Sequence, residues 1–247
     1  MSELERWETR FRPPAYLFGK APNAFLKSQS HRLRAGQTAL SVADGEGRNG
    51  VWLAGQGLDV LAIDFSATAL AKARALAQER GVQIRTEVAD VTKWRWPQDA
   101  FDLIVAIFVQ VVFPAERNAF FANLKRALKP GGVLLMQGYR PEQLAYRTGG
   151  PPEAERMYTR AILQEAFGDL SELDIREHDS VLPLSLPAFA GVGIRVGGGR
   201  AEAESEPWKP GEDRSRRAGA ALQPGSTTST TGFLVPALPT RHDADEG

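Results

Sequence analysis

The sequence predicts an α/β fold with a doubly wound, mostly parallel, Rossmann-like sheet. Between residues 37 and 182, short apolar runs rich in Val, Ile and Leu alternate with helical runs. Alternation at this spacing is typical of a parallel sheet with helices on both faces. The run from Phe101 to Val109 is almost continuously apolar, which indicates a central strand buried on both sides.

The individual elements follow from periodicity and from the residues that begin or end a helix. Ser66 is a residue type that caps a helix N-terminus, and Gly81 stands where a left-handed residue ends that helix. Basic residues in the last turn of a later helix, Lys125 and Arg126, suit the helix dipole. Strands are predicted at 38–43, 59–63, 83–88, 101–109, 133–138 and 173–181, and helices at 48–56, between Ser66 and Gly81, at 115–128 and at 159–167.

Composition divides the chain into three zones. Residues 1–36 mix polar and aromatic side chains and are predicted to form an N-terminal arm or lid, and residues 37–196 a ligand-binding domain. In residues 197–247, eight of 51 are Gly and five are Pro, and residues 226–231 are all Ser or Thr. Such a segment buries too little apolar surface to offset its ordering entropy, so a disordered tail is predicted.

Charge and cysteine content exclude several classes of function. Thirty basic residues balance thirty acidic ones, so no electrostatic attraction to nucleic acid or to an anionic membrane is expected. The chain contains no cysteine, which excludes disulfides, cysteine-ligated metals and thiolate nucleophiles. No apolar run approaches the roughly 18 residues of a membrane helix, and the first residues do not form a signal peptide. A cytoplasmic protein is expected.

A glycine-rich turn follows the first predicted strand. Gly45, Gly47 and Gly50 match the spacing of a nucleotide-binding fingerprint, and Asp64 ends the second strand 19 residues after Gly45. Glycine lets the backbone approach a ligand closely, and a carboxylate at that distance can accept hydrogen bonds from both ribose hydroxyls. The alternative is a glycine turn used only for tight packing between strand and helix.

Asp90 and Val91 end the third predicted strand. Asp90 could accept a hydrogen bond from an adenine amino group, with Val91 offering apolar contact, or it could form an Asx turn. The helix stop Lys129–Gly132 leads into the fifth strand. Each feature has an ordinary structural explanation, but their joint order points to an adenosine-containing ligand.

In this order and spacing the sequence resembles class I S-adenosylmethionine (SAM)-dependent methyltransferases. The segments Gly45–Asn49 and Val51–Ala54, with the lead-in Tyr16–Asn23, more narrowly resemble the small tellurite-resistance and thiopurine-type branch. The resemblance covers residues 7–182. It implies that the last strands form an antiparallel hairpin; residues 173–181 fit one arm, but only the short, glycine-flanked segment 192–196 offers a second, so an incomplete hairpin is predicted.

The resemblance also implies roles for individual residues toward SAM. Gly45 and Gly47 would pass beneath the methionine portion, and Asp64 would hold the ribose. Ser41 stands where many class I enzymes carry an acid, so Asp44 is expected to take over contact with the ammonium group. The full predicted cofactor set is Asp44, Gly45, Gly47, Arg48 (toward the cofactor carboxylate, or simply solvated), Asp64, Phe65 (on the adenine), Asp90, Val91 and either Ile107 or Phe108 (on the methyl side).

The predicted function is therefore SAM-dependent methylation of a small-molecule thiol, metalloid oxyanion, amine or hydroxyl compound. The cofactor carries its own leaving group and the protein supplies orientation, so no general base is nominated. The three histidines are scattered, and no metal site is predicted. Two alternatives are an NAD(P)-dependent oxidoreductase, which would use the same glycines and Asp64 but lacks an evident catalytic set, and a non-catalytic SAM-binding module.

Overall fold

The computed structural model describes residues 1–147, 149–182 and 189–199. The strands are β1 (Thr38–Val42), β2 (Asp59–Asp64), β3 (Arg85–Val88), β4 (Phe101–Ile107), β5 (Leu128–Tyr139), β6 (Ser171–Leu182) and β7 (Phe189–Gly199). The α-helices are α1 (Glu3–Phe11), α2 (Ala24–Ser28), α3 (Arg48–Gly55), α4 (Ala67–Glu79), α5 (Pro114–Ala127), α6 (Gln143–Tyr146) and α7 (Arg160–Phe167). No helix within these residues is long and apolar enough to cross a membrane.

The strands form one seven-stranded sheet in the order β3-β2-β1-β4-β5-β7-β6. The first five strands are parallel, whereas β7 runs antiparallel to both β5 and β6. Strand order reverses between β1 and β4, which places a crevice at the carboxyl ends of these strands. The predicted doubly wound, mostly parallel sheet is confirmed.

The predicted incomplete hairpin is wrong. Strand β7 has 11 residues and pairs with β5 from Gly193 to Gly199 and with β6 over most of its length. Its many glycines weaken the strand pattern in the sequence, because glycine has no side chain to pack. Between two neighbours, however, main-chain hydrogen bonds hold such a strand from both sides.

Strand β7 also passes the predicted domain boundary at residue 196 and continues to Gly199. Residues 200–247 lie outside the described residues, so the disordered tail stays a prediction.

The central strand β4 packs on both faces, as its apolar run predicts. Ile104 and Ala106 point into a cluster with α5 and α7, whereas Leu103, Val105 and Ile107 point into a second cluster with α2 and α3. This alternation follows from the two-residue period of a strand. Helices therefore cover both faces of the sheet.

Helix ends follow the predicted capping residues. The Ser66 hydroxyl accepts a hydrogen bond from Ala69 N at the start of α4, and Gly81 has a positive φ of 67° beyond its end. Thr159 caps α7 in the same way. The predictions for Ser66 and Gly81 are confirmed because capping depends on local chemistry.

Candidate functional site at the carboxyl edge of the sheet

The glycine turn lies where β1 meets α3, at the carboxyl edge of the parallel strands. Ala43, Gly45 and Gly47 all have positive φ, at 48°, 60° and 89°. Gly47 is also the N-cap of α3, so this turn directs the N-terminus of the helix toward the crevice. A non-glycine residue with positive φ, such as Ala43, is uncommon and often marks a functional site.

Asp64 joins the ends of β1 and β2. Its Oδ2 atom accepts a hydrogen bond from Gly45 N (2.9 Å), and its Oδ1 accepts one from Ser66 N (2.8 Å). The residue is only 4% exposed. Burial raises the pKa of its carboxyl to about 6, against the lowering effect of these two hydrogen bonds, with the nearby acids Asp44 and Glu8 adding a smaller rise. Asp64 is thus a buried acid whose carboxylate links the glycine turn to the end of β2.

The three glycines of the fingerprint have different surroundings. A Cβ on Gly47 would lie 2.7 Å from Cα of Ala73 in α4, so Gly47 is required for helix packing. A Cβ on Gly50 would meet the carboxylate of Asp44. Gly45 instead faces Phe11, whose ring carbon lies 3.6 Å from its Cβ position. The packing explanation therefore accounts for Gly47 and Gly50 but leaves Gly45 at the crevice.

The carboxylate of Asp44 is buried at the start of α3. Its Oδ1 accepts hydrogen bonds from the Ser41 hydroxyl (2.6 Å) and from Gly50 N (3.1 Å), the third residue of α3. Oδ2 is buried without a hydrogen-bond partner within the described residues, and burial raises the pKa of the carboxyl. A carboxylate here stabilises the first turn of the helix. The expected contact between Asp44 and a cofactor ammonium group stays a prediction.

Ser41→Ala is expected to lower the free energy of unfolding by about 1–2 kcal/mol, because it leaves a buried acceptor with one hydrogen bond fewer. Urea denaturation measures this change. Ser28→Ala is the matched control, since Ser28 is exposed and its hydroxyl makes only local hydrogen bonds, donating to the carbonyl of Phe25 and accepting from the side-chain amide of Gln29. Equal effects of the two substitutions would contradict the capping role of the Ser41–Asp44 pair.

Asp90 forms the Asx turn that the sequence left as its alternative. Its Oδ1 accepts hydrogen bonds from Thr92 N (3.0 Å) and from the Thr92 hydroxyl (2.7 Å), and Lys93 Nζ lies 3.3 Å from Oδ2. These partners lower the pKa of the carboxyl, outweighing partial burial. Val91 is buried in the core cluster, and Phe65 is half-buried beside Asp64. Contact of Asp90 with adenine stays a prediction.

Phe108 lies where β4 ends and has a positive φ of 59°. Its ring stacks on Tyr139, at the end of β5, with centroids 4.5 Å apart. The side-chain amide of Gln110 holds this pair of strand ends together by accepting from Tyr139 N (2.6 Å) and donating to Tyr139 O (2.8 Å). An aromatic wall therefore borders the crevice on the side of β4 and β5.

Helix α1 covers the turn and is the main feature that sequence reasoning missed. Phe11 is 3% exposed against Gly45, and the Glu8 carboxylate accepts from the Thr68 hydroxyl and backbone N–H at the start of α4. The signal was present in the sequence: Ser2 and Glu5 form a capping box, with both reciprocal hydrogen bonds made.

The arm that follows α1 continues along the same edge. The Tyr16 hydroxyl donates to Lys72 O (3.0 Å), Leu17 N donates to Glu46 Oε2 (2.7 Å), and Arg48 donates to Phe18 O (3.3 Å). Lys72 Nζ pairs with Glu46 Oε1 at 2.7 Å. Helix α1 and the residues up to Phe18 thus pack over the turn after β1, whereas Phe25 and Leu26 of α2 belong to the second core cluster. An arm or lid over residues 1–36 stays a prediction.

Titratable residues do not converge into a metal site in the part of the chain that is described, since no group of three or more His, Cys, Asp or Glu side chains lies close enough to hold an ion. What the edge does offer is a buried carboxylate, a glycine bend, helix N-termini and aromatic rings. These groups suit an uncharged ribose and a planar base.

Comparison with known proteins agrees with this geometry. Residues 39–132 match a family model described as a methyltransferase domain. The chain is 32% identical over 124 residues to phosphoethanolamine N-methyltransferase 1 of Triticum aestivum, covering 50% of this chain and 24% of that protein. The chain therefore spans about a quarter of that relative's length.

Solved structures show the same fold. The N-methyltransferase NodS of Bradyrhizobium japonicum, in complex with S-adenosyl-L-homocysteine (SAH), superposes with a TM-score of 0.63 at 15% identity, over 81% of this chain and 98% of that one. TehB of Haemophilus influenzae gives a TM-score of 0.61 at 15% identity, over 80% and 66%. The predicted fold is thus shared with solved methyltransferase structures, and residues 39–132 match a methyltransferase domain.

Proposed function

We propose that the protein is a SAM-dependent methyltransferase that acts on a small-molecule acceptor. The observation that carries the proposal is the buried Asp64 at the end of β2, hydrogen-bonded to the backbone of Gly45 in the turn after β1. A nucleoside bound across a strand switch point meets both of these strand ends. The matched methyltransferase domain covers this part of the chain.

The residues at this edge fit an adenosine group. Each oxygen of the Asp64 carboxylate accepts one backbone N–H, and an ionised carboxylate has about four acceptor positions. Two positions remain for the two ribose hydroxyls. Phe65 and Val91 would contact the adenine, and Gly45 would lie beneath the methionine portion. When bound, SAM supplies an activated methyl group, and this chain orients it and excludes water.

The acceptor would approach from the ends of β4 and β5, where Phe108 and Tyr139 stack. Alignment of the two reactants accounts for much of the acceleration in a displacement of this type. The balanced charge of the chain favours a small molecule over a nucleic acid, which basic surfaces recognise. We also propose the tellurite-resistance and thiopurine-type branch, supported by the motif after Gly45 and by the lead-in arm that contacts it.

An NAD(P)-dependent oxidoreductase is the weaker candidate. In the described sheet β7 inserts antiparallel between β5 and β6, which is the arrangement expected of class I methyltransferases and not of the all-parallel dinucleotide fold with strand order 3-2-1-4-5-6. A non-catalytic SAM-binding module shares the whole site, so only turnover separates it from an enzyme.

Calorimetric titration of the full chain with SAM, SAH, NAD and NADP tests the cofactor. Binding of the two sulfur nucleosides without the dinucleotides is expected. Binding of NAD or NADP alone would reverse the assignment. Formation of SAH with a panel of thiols, amines, selenite and tellurite then distinguishes an enzyme from a binding module, which would bind SAM and release no product.

A further inference from the structure

Two arginine side chains meet at one aromatic ring beside the crevice. The Arg48 guanidinium lies 5.7 Å from the centroid of the Phe18 ring, and that of Arg10 lies 6.0 Å from it. Arg10 also stacks over Trp7 at 4.4 Å. Arg48 begins α3, directly after the glycine turn, and Arg10 belongs to the covering helix α1. The two positive charges therefore converge on the ligand-binding edge.

These charges lack counter-ions. Within the described part of the chain, Arg10 makes no hydrogen bond or ion pair, and Arg48 makes a single hydrogen bond, to the carbonyl of Phe18. The acids nearest Arg48 are occupied elsewhere: Asp44 caps α3, and Glu46 binds Lys72 and the backbone of Leu17. Arg48 is half-buried and Arg10 is exposed. A half-buried guanidinium with free donors, such as that of Arg48, is costly unless an anion binds it, and the exposed Arg10 can reach the same anion.

Tyr139 ends the strand next to this pair of arginines, and its phenol interacts electrostatically with both of them. The Tyr139 hydroxyl has no hydrogen-bond partner among the described residues. Burial raises the pKa of the phenol, and the charges of Arg48 and Arg10 lower it by a smaller amount. The Tyr139 ring is fixed on one side by Phe108 and on another by the loop at Gly150, where an added Cβ would lie 2.9 Å from it. Tyr139 ends β5, on the side proposed for the acceptor.

We propose that the methyl acceptor carries an anionic group, a carboxylate or phosphate, bound by Arg10, Arg48 and the Tyr139 hydroxyl. Guanidinium groups bind planar or tetrahedral oxyanions with two parallel hydrogen bonds, and a phenol adds a third donor. The rings of Trp7, Phe18 and Phe108 then contact the apolar part of the acceptor. This inference rests on the proposed methyltransferase function and specifies its substrate class.

The anion has one other possible source, the carboxylate of the cofactor itself. The two sources differ in what remains after the cofactor is bound. If the cluster serves the acceptor, the protein saturated with SAH still has a free anion site. If it serves only the cofactor, SAH occupies the cluster and no anion site is left.

The test is calorimetry on the full chain saturated with SAH, at constant ionic strength. The probes are inorganic phosphate, benzoate and phenyl phosphate, with benzamide and phenol as uncharged counterparts. At least one anion is expected to bind tenfold or more tightly than the uncharged probes. Arg10→Gln is expected to weaken that binding about tenfold, and Tyr139→Phe about threefold, while the affinity for SAH changes less than twofold.

Arg12→Gln is the matched control, because Arg12 is exposed on the same segment just beyond α1. It is expected to leave anion binding unchanged within twofold. The proposal is overturned if no anion binds better than its uncharged counterpart, or if Arg10→Gln and Arg48→Gln weaken SAH but not the anion. If SAH itself does not bind, the proposed function fails separately, and the same anion titration on the ligand-free protein still tests the cluster.

Discussion

Gly47→Ala is expected to lower the free energy of unfolding by about 3 kcal/mol, the sum of strain at a left-handed φ and overpacking of a closed contact. Gly47 has φ of 89°, and its Cβ position lies 2.7 Å from both Cα and Cβ of Ala73. The backbone of α4 cannot move aside as a flexible side chain can. Helices α3 and α4 must therefore move apart to accommodate the added methyl group. Urea denaturation with an unchanged m-value measures the loss.

Gly55→Ala is the control in the same helix. Gly55 is an exposed residue of α3, and nothing lies within 4 Å of its Cβ position. Alanine there is expected to stabilise the protein by about 0.5–1 kcal/mol through helix propensity. A Gly47→Ala protein as stable as the parent would show that the contact between α3 and α4 is not closed as described.

Asp64→Ala is expected to raise the dissociation constant for SAH roughly 10- to 100-fold, equivalent to about 1–3 kcal/mol of lost charge-assisted hydrogen bonding. Asp59→Ala, at the other end of β2, is the control, because Asp59 is exposed and pairs only with Arg85 in the described residues. Calorimetric titration compares both variants with the parent. Equal affinities in all three proteins would remove Asp64 from the ribose site.

Binding through Asp64 should also depend on pH. The carboxyl has a pKa of about 6, so below pH 6 it becomes protonated and loses acceptor positions, and the affinity for SAH is expected to fall about tenfold per pH unit. Stability should change in the opposite direction. Because the folded-state pKa lies above the ordinary 3.8, protonation favours the folded state, and this contribution is lost as pH rises through about 6.

The variant Asp64→Asn tests whether the pH dependence of SAH binding comes from Asp64 or from another acid, because an amide oxygen accepts hydrogen bonds but the amide does not titrate. Its affinity for SAH should be nearly constant between pH 5 and 7. Glu8 and Asp44 are the other acids near Asp64. A pH profile of Asp64→Asn parallel to that of the parent would assign the titration to one of them.

The sequence predicted the elements whose signal is local or strongly periodic. The apolar run of β4, the Ser66 cap and the strand–helix alternation are each confirmed within a few residues, because packing on both faces and capping leave a direct pattern. Strand β7 was misjudged because its stability comes from two neighbouring strands that are distant in sequence. Helix α1 was missed although its capping box is visible.

The sequence predicted that the site lies at the ends of several strands. In the structure, Gly45, Asp64 and Phe108 do lie at the same edge of the sheet. The orientation of each side chain was beyond the sequence. Asp44 turns inward because Ser41 and the first turn of α3 offer hydrogen bonds. Arg10 and Tyr139 could not be related in advance, since they are far apart in the sequence.

The position of β7 determines when the sheet can be finished during synthesis. In the described sheet β6 pairs with no strand other than β7, which emerges later from the ribosome. A nascent or truncated chain that stops before Phe189 would leave β6 without a neighbour and would expose the apolar residues of β5 along an open edge. Unpaired apolar edges recruit other chains. Such truncated chains are therefore expected to aggregate even though the strands that carry the proposed site, β1, β2 and β4, are complete.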